Sequence, residues 1–392
     1  MARDSVLLIT TRSLRGFSTG LLAVLIGPYL AGLGYGPGAV GLLVALPVAG
    51  GAAWTLLALL KADAFGRRRM LALFSLLGAA SALGLFLTPE PAVLVLALLA
   101  GGLALSGADA AAFIPVEQAL LPQTVPPERR NRLFGSYATA GTLSIALGAL
   151  AAGAGEALRA GAGERVLFLL PAALNLAAFA LYLTLSPLVE RAGAARSLRT
   201  DPESRGRVAR LGLLFSLDSF AGGFVLYSLV AYWFHHRFGW DLAALGPLLF
   251  AVNALVALSF PLAARLGDRF GLVNTMVFTH LPSDFLLMAV PFMPTAEASA
   301  ALWLVRAPLS QMDVPTRQAY TVAIVPPEER TAAAGLTHLA RTAAQAPAPW
   351  VSGWSLSLAA SAPFLFGGGL KVAYDLMLYR AFRRVKPLEG RG

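Results

Sequence analysis

PVEQALLPQTVPPERRNRLFG, residues 115–135, and PTRQAYTVAIVPPEERTAAAG, residues 315–335, lie over one another without a gap at an offset of 200 residues. Pro115, Gln118, Ala119, Val125, Pro126, Pro127, Glu128, Arg130 and Gly135 reappear as Pro315, Gln318, Ala319, Val325, Pro326, Pro327, Glu328, Arg330 and Gly335, nine identities in 21 positions. Shared apolar composition does not produce this match, because Gln, Glu, Arg and a double proline are not filler. The two halves of the chain are therefore related by duplication, and whatever surrounds the first segment has a counterpart around the second.

The surroundings are hydrophobic. Of the 392 residues, 57% are apolar and only 13% charged, with a mean hydropathy of +0.67, whereas soluble domains carry about a quarter charged residues. Runs of roughly 18 or more apolar residues recur from end to end, each long enough to cross a bilayer. Their boundaries define twelve spans, at about 6–33, 38–60, 70–88, 92–120, 133–155, 166–188, 211–236, 242–266, 274–294, 298–324, 331–357 and 359–380. Pro115, Pro315 and Pro363 interrupt apolar runs, which spans tolerate better than soluble helices do. The net charge of +10 and pI near 10.4 sit in short loops and not on a folded basic face, so nucleic acid is not expected as a partner. There is no cysteine, which excludes disulfides and thiolate chemistry. The first apolar run carries Arg12 and Arg15 without a small-residue cleavage site after it, so it reads as a span and not a signal peptide.

Cytoplasmic loops retain positive charge. With the N-terminus inside, 22 of the 31 lysines and arginines fall in inside segments, and only Arg159, Arg165 and Arg237 fall outside. Both termini are thus expected in the cytoplasm, with the protein in the cell membrane. The longest loop, Glu190–Arg210, is polar and arginine-rich. It reads as a cytoplasmic linker, 189–210, between an N-terminal bundle, 1–188, and a C-terminal bundle, 211–392.

A second pair follows the duplication to within a few residues: DAFGRRR at Asp63 after span two, and DRFGLVN at Asp268 after span eight. On these residues the chain resembles the major facilitator superfamily, in which an Asp-x-Phe-Gly-basic loop after span two is the most recognisable motif, weakly echoed after span eight. The resemblance implies an all-α membrane protein of twelve helices in two pseudo-symmetric six-helix bundles, with parallel repeats. It also implies a secondary transporter of a small molecule, working by alternating access as a monomer in the lipid bilayer without a cofactor. Asp63, with Gly66, Arg67 and Arg68, is then the expected cytoplasmic gate, since a carboxylate between helix ends can accept bonds from N-terminal amides and pair with arginine. The second copy has Leu272, Val273 and Asn274 in place of the basic cluster, so Asp268 is expected to be the weaker gating element.

An ionisable group at membrane depth costs a few kcal/mol or more, so it faces a protein interior or a wet cavity. Arg15, Asp218, Asp284, Arg306 and Arg341 fall near the middle of their spans; Asp109, Glu117, Asp313 and Arg317 lie deeper toward the cytoplasmic ends of spans four and ten. Helical spacing puts Arg12, Arg15 and Thr19 on one face, Arg306, Ser310, Asp313 and Arg317 on another, and His338, Arg341 and Gln345 on a third. The resemblance assigns spans one, four, seven and ten to a central cavity, which favours Arg15, Asp109, Asp218, Arg306, Asp313, Arg341 and Gln345 as cavity groups. It leaves Asp284 on span nine as structural. Asp218, Asp313, Asp109 and His338 are the candidates for proton coupling, against the alternative that the charges only lock helices together. Glu117 and Arg317, equivalent positions of opposite sign, are expected to form a salt bridge that gates the cytoplasmic side. No metal site is expected.

Span five holds Gly135, Gly141, Gly148, Gly153 and Gly155, which permits close helix contact, but not the Gly-Pro pair typical of the superfamily's drug/proton antiporters. No Walker-type phosphate loop, HExxH or GxSxG occurs, so an ATP-driven pump and an intramembrane enzyme are disfavoured. A channel would need neither the gating loop nor halves able to rock. The expectation is a proton-coupled transporter with a polar or anionic substrate, the alternative being an efflux antiporter for amphipathic drugs or metabolites.

Overall fold

Once apolar side chains face lipid, every backbone N–H and C=O must be satisfied within its own segment, which leaves helices as the economical solution. A computed structural model of the chain describes residues 2–101, 112–126, 129–155, 163–186, 202–326 and 329–385, and among these there is no strand. The first half contains α1 (Ala2–Gly32), α2 (Pro37–Phe65), α3 (Arg67–Leu87), α4 (Pro91–Gly101), α5 (Phe113–Leu120), α6 (Arg130–Ala154) and α7 (Leu169–Leu183). The second contains α8 (Pro202–Gly222), α9 (Tyr227–Phe238), α10 (Leu242–Phe270), α11 (Leu272–Ala289), α12 (Ala296–Leu309), α13 (Asp313–Ala323), α14 (Arg330–Gln345), α15 (Ala348–Leu358) and α16 (Ala362–Phe382). Among the described residues, eight helical stretches are long and apolar enough to cross a membrane by themselves.

The remaining expected spans depart from single uninterrupted apolar helices for identifiable reasons. Span ten is split between α12 and α13 at Ser310–Met312. Pro315 lacks an N–H, and its ring would collide with the carbonyl four residues back, at Gln311. Span eleven is split between α14 and α15, where Pro347 and Pro349 stand at the start of the second piece. Span seven, although it is one of the eight, is also broken, between α8 and α9, by a 3₁₀ turn, Gly223–Val225. A Cβ added at Gly223 would lie 2.5 Å from that of Ala348. Span twelve is a continuous helix of 21 residues but carries Lys371, Asp375 and Arg380. The middle of span four, with Asp109, lies outside the described residues. So do 189–201 of the expected linker, whereas 202–210 are helical, with Pro202 opening the helix as its missing N–H allows.

The chain forms two compact units, Met1–Gly193 with Leu226–Asn253, and Ala194–Val225 with Ala254–Gly392. The grouping does not follow the expected halves at Leu226–Asn253, and glycines show why. A Cβ on Gly27 of α1 would sit 2.5 Å from Ser228 O, and one on Gly246 of α10 would sit 2.8 Å from Ala149 O of α6. In the same unit α1 and α6 meet backbone to backbone: a Cβ on Gly20 would lie 1.9 Å from Ile145 O, and one on Gly148 would lie 2.0 Å from Phe17 O. Small residues let membrane helices approach this closely. A backbone oxygen cannot swing aside, so Gly20→Ala is expected to cost at or beyond the top of the ~1–3 kcal/mol range for overpacking. The melting temperature of purified protein checks this. Gly135→Ala, at a site with nothing within 4 Å of the added Cβ, is the control.

Each unit has its own apolar core. In the first, Leu8, Met70, Phe74, Phe113, Leu120 and Tyr182 pack together; in the second, Phe215, Met276, Tyr320, Leu378 and Phe382 do. The duplicated Asp-x-Phe-Gly segments fold alike. Gly66, at φ 99°, is the single residue between α2 and α3, and Gly271, at φ 87°, the single residue between α10 and α11. A positive φ disfavours any residue with a Cβ, so both turns depend on glycine.

Candidate functional site

Ion pairs dominate the polar interior of both units. In the first, Arg15 of α1 and Glu117 of α5 are 3% and 0% exposed and form a two-pronged bridge, Nη1 to Oε1 at 2.9 Å and Nη2 to Oε2 at 2.6 Å. Glu117 accepts further bonds from Thr11 (3.3 Å), Tyr137 of α6 (2.5 Å) and Tyr182 of α7 (2.6 Å). The Arg15 guanidinium also donates to the Tyr182 hydroxyl and lies 4.1 Å from the Phe113 ring centroid. One carboxylate thus ties together four helices, with both of its oxygens satisfied by charged and neutral donors.

The second unit builds a looser network around Asp218 of α8. Its Oδ1 receives Lys371 Nζ of α16 at 2.8 Å; its Oδ2 receives Arg341 of α14 at 2.9 Å and Arg317 of α13 at 3.2 Å. Arg317 also pairs with Asp313, one helical turn away, at 2.5 Å. Three cations converge on one aspartate, and the second carboxylate, Asp313, is shared with only one of them. The side chain of Arg341 is 23% exposed and that of Arg317 11%, whereas the aspartates are 5% or less. This is an arrangement with cationic hydrogen-bond donors at its accessible edge and carboxylates beneath.

The two clusters share a plan with reversed sign. Arg15 and Glu117 join spans one and four; Asp218 and Arg317 join spans seven and ten, their counterparts in the duplication. Glu117 and Arg317, expected as a gating pair, each have an opposite charge inside their own unit. Buried ions take the partner that their own helix packing supplies, because an unpaired one is costly.

The other expected site residues are placed as follows. Arg306 is 6% exposed, with its guanidinium 4.6 Å from the Trp303 ring centroid. His338 and Gln345 are half-buried one turn to either side of Arg341 on α14. Asp63 is in the last turn of α2, three residues before Gly66, and Asp268 is exposed near the end of α10. Arg67 opens α3, and Arg68 donates to Leu185 O at 2.9 Å.

Sequence reasoning left Asp284 as structural and missed the residues it meets on α11 and α16. His280 and Asp284 are one turn apart on the first, Lys371 and Asp375 one turn apart on the second, and all four are buried. Lys371 Nζ reaches His280 Nε2 at 3.3 Å as well as Asp218, while His280 Nδ1 faces Asp375 at 3.1 Å and Asp284 at 3.5 Å. The signal was present in the sequence: two i,i+4 polar pairs at membrane depth, on spans nine and twelve. The resemblance had placed those spans away from the cavity.

The family model of the Major Facilitator Superfamily matches residues 8–312. An uncharacterized membrane protein of Saccharomyces cerevisiae is 24% identical over 422 residues, spanning 96% of this chain and 93% of the yeast protein. Among solved structures, an autoinhibited peptide transporter of the POT family superposes with a TM-score of 0.77 at 12% identity, covering 98% of each chain. The E. coli xylose transporter XylE in an inward-open conformation does so with a TM-score of 0.74 at 16% identity, covering 99% of this chain and 97% of its own. For the human organic anion transporter MFSD10 the TM-score is 0.68 at 18% identity, with 96% of this chain covered and 99% of the other. At such identities the likeness is one of fold.

Proposed function

Because the chain belongs to the major facilitator superfamily, we propose that this secondary transporter carries a small polar or anionic solute by alternating access, coupled to protons. The observation that carries this reading is the Asp218 network, with three cations around one aspartate and the guanidinium of Arg341 at its accessible edge. A carboxylate or phosphate on the solute is a natural competitor for Asp218, since guanidinium binds such groups in two-pronged geometry. Solute binding at Arg341 would leave Asp218 held by Lys371 and Arg317, so the network has two discrete arrangements that a solute biases. A carboxylate released from one cation is also the group that takes up a proton, which makes Asp218 and Asp313 the coupling candidates in this reading. MFSD10 is described as an organic anion transporter, XylE as a xylose transporter, and the POT protein as a peptide transporter, so one fold serves several solutes and the site must choose. Loop charge supports a place in the cell membrane with both termini cytoplasmic, and the protein is taken to work as a monomer.

The test is a thermal-shift screen of purified protein against carboxylates, phosphates, sugars, peptides and amphipathic drugs, followed by uptake of any hit into proteoliposomes. Anions are expected to stabilise the protein, and Arg341→Met to weaken their binding by about tenfold or more, the loss of a charge-assisted hydrogen bond. Uptake should rise with an imposed proton gradient. Stabilisation by amphipathic drugs alone, unaffected by Arg341→Met, would replace this reading with efflux. Uptake indifferent to the gradient would remove the proton.

A further inference from the structure

The second unit holds a buried cluster that solute binding at Arg341 does not use. His280 and Asp284 on α11 and Asp375 on α16 are at most 1% exposed, and their ligand atoms lie within 4.8 Å of one another. The His280 ring is held from both sides. Lys371 Nζ stands 3.3 Å from Nε2, and an ammonium has only protons to offer, so Nε2 must present its lone pair. The ring hydrogen is then on Nδ1, where it donates to Asp375 Oδ2 at 3.1 Å. In this arrangement we take His280 as the neutral tautomer, fixed by its neighbours as second partners fix histidines elsewhere.

Asp284 is left unusual. Among the described residues neither of its oxygens accepts a hydrogen bond, and its ion-pair partner, His280 Nδ1, is already committed to Asp375 and stands 3.5 Å away. A buried ionised carboxylate without donors is unfavourable, and a second carboxylate within 4.8 Å makes it more so. Two carboxyl groups at such a separation share one proton in preference to carrying two charges. A metal ion does not fit as well. Bound to Nδ1, it would drive the ring hydrogen to Nε2, opposite the Lys371 ammonium.

We infer that Asp284 and Asp375, oriented by His280, form a proton-binding site that exchanges the transported proton and is connected through Lys371 to Asp218. This use of the site rests on the proton-coupled reading above. The groups that face the pair are Lys371 and Tyr374 from α16, Arg306 from α12 and Asp218 from α8; Asp313 and Arg317 from α13 and Arg341 from α14 stand behind them, around Lys371, Tyr374 and Asp218. Among the described residues of this network, the four carboxylates Asp218, Asp284, Asp313 and Asp375 match the four fixed cations Arg306, Arg317, Arg341 and Lys371. One added proton leaves the cluster with an excess positive charge, which an anionic solute at Arg341 neutralises. Proton and anion therefore favour each other's binding, a reciprocal coupling that specifies symport of the two.

Infrared spectroscopy of the purified full-length protein, with aspartate carbon-13 labelled at the side-chain carboxyl, reads the proton directly. At neutral pH an acid C=O band that shifts with the label is expected, and it should be lost in both Asp284→Asn and Asp375→Asn, because the remaining carboxyl then ionises beside His280. Absence of the band in the wild type, its persistence in both variants, or its removal by low concentrations of zinc would overturn the site. The wild-type measurement decides even if a variant does not fold. The band is independent of transport, so the two readings fail separately. A band as expected with uptake indifferent to the proton gradient overturns the coupled reading and the transport role of the pair. Gradient-driven uptake that persists in Asp284→Asn and Asp375→Asn overturns the pair alone.

Discussion

Glu117→Gln will lower the stability of the protein by about 3–5 kcal/mol, the range for breaking a buried ion pair from one side. The reason is that Arg15, 3% exposed, keeps its charge while losing both anionic oxygens, and the amide cannot accept all the bonds that Thr11, Tyr137 and Tyr182 now direct to the carboxylate. Removing both ions is a different experiment. The double variant Arg15→Met with Glu117→Leu should recover most of the loss, because well-packed apolar replacements of a buried pair are often neutral or stabilising. Melting temperature in detergent measures both. Uptake by the double variant then decides what the pair is for: transport near the wild-type rate makes it a lock between helices, whereas a stable but inactive protein makes it part of the transport cycle. If Glu117→Gln melts with the wild type, the assignment of this cluster as the tie of the first unit is wrong.

Asp218→Asn carries the second large effect, and it is one of function before stability. The substitution leaves Lys371, Arg341 and Arg317 facing one another, with Asp313 the only carboxylate among the described residues that forms a salt bridge to any of them. Concentrative uptake is expected to fall by about a hundredfold or more, in line with ~3 kcal/mol or more for an orphaned buried charge. Asp218→Asn combined with Lys371→Met removes the surplus charge and should restore melting temperature without restoring transport. That separation matters, since a merely structural aspartate would have both properties rescued together. Full gradient-driven uptake by Asp218→Asn would remove Asp218 from the mechanism.

Legibility differed between the two units. Arg15, Asp218, Asp313, Glu117, Arg317 and Arg341 were all visible as charges at membrane depth, and that alone marked them as paired or functional. Their partners were not visible. Glu117 and Arg317 were recognised as equivalent positions of opposite sign, but Arg15 and Asp218, which they hold inside their own units, could not be read as their partners. Proline positions announced the break in span ten at Pro315 but not the one in span seven, where two adjacent glycines and the approach of Ala348 do the same work without proline.

Length of apolar runs, loop charge, the 200-residue repeat and the two Asp-x-Phe-Gly turns are local or periodic properties, so the sequence alone determined the helical membrane class, the duplication and the family. Which charge meets which depends on the rotation and depth of helices far apart in the chain, and only the tertiary structure decided it. His280, Asp284, Lys371 and Asp375 illustrate the difference: two ordinary i,i+4 pairs become one buried cluster when α11 packs on α16. Burial then turns proximity into chemistry, because at low dielectric each of these groups must find its proton or counter-charge among its neighbours.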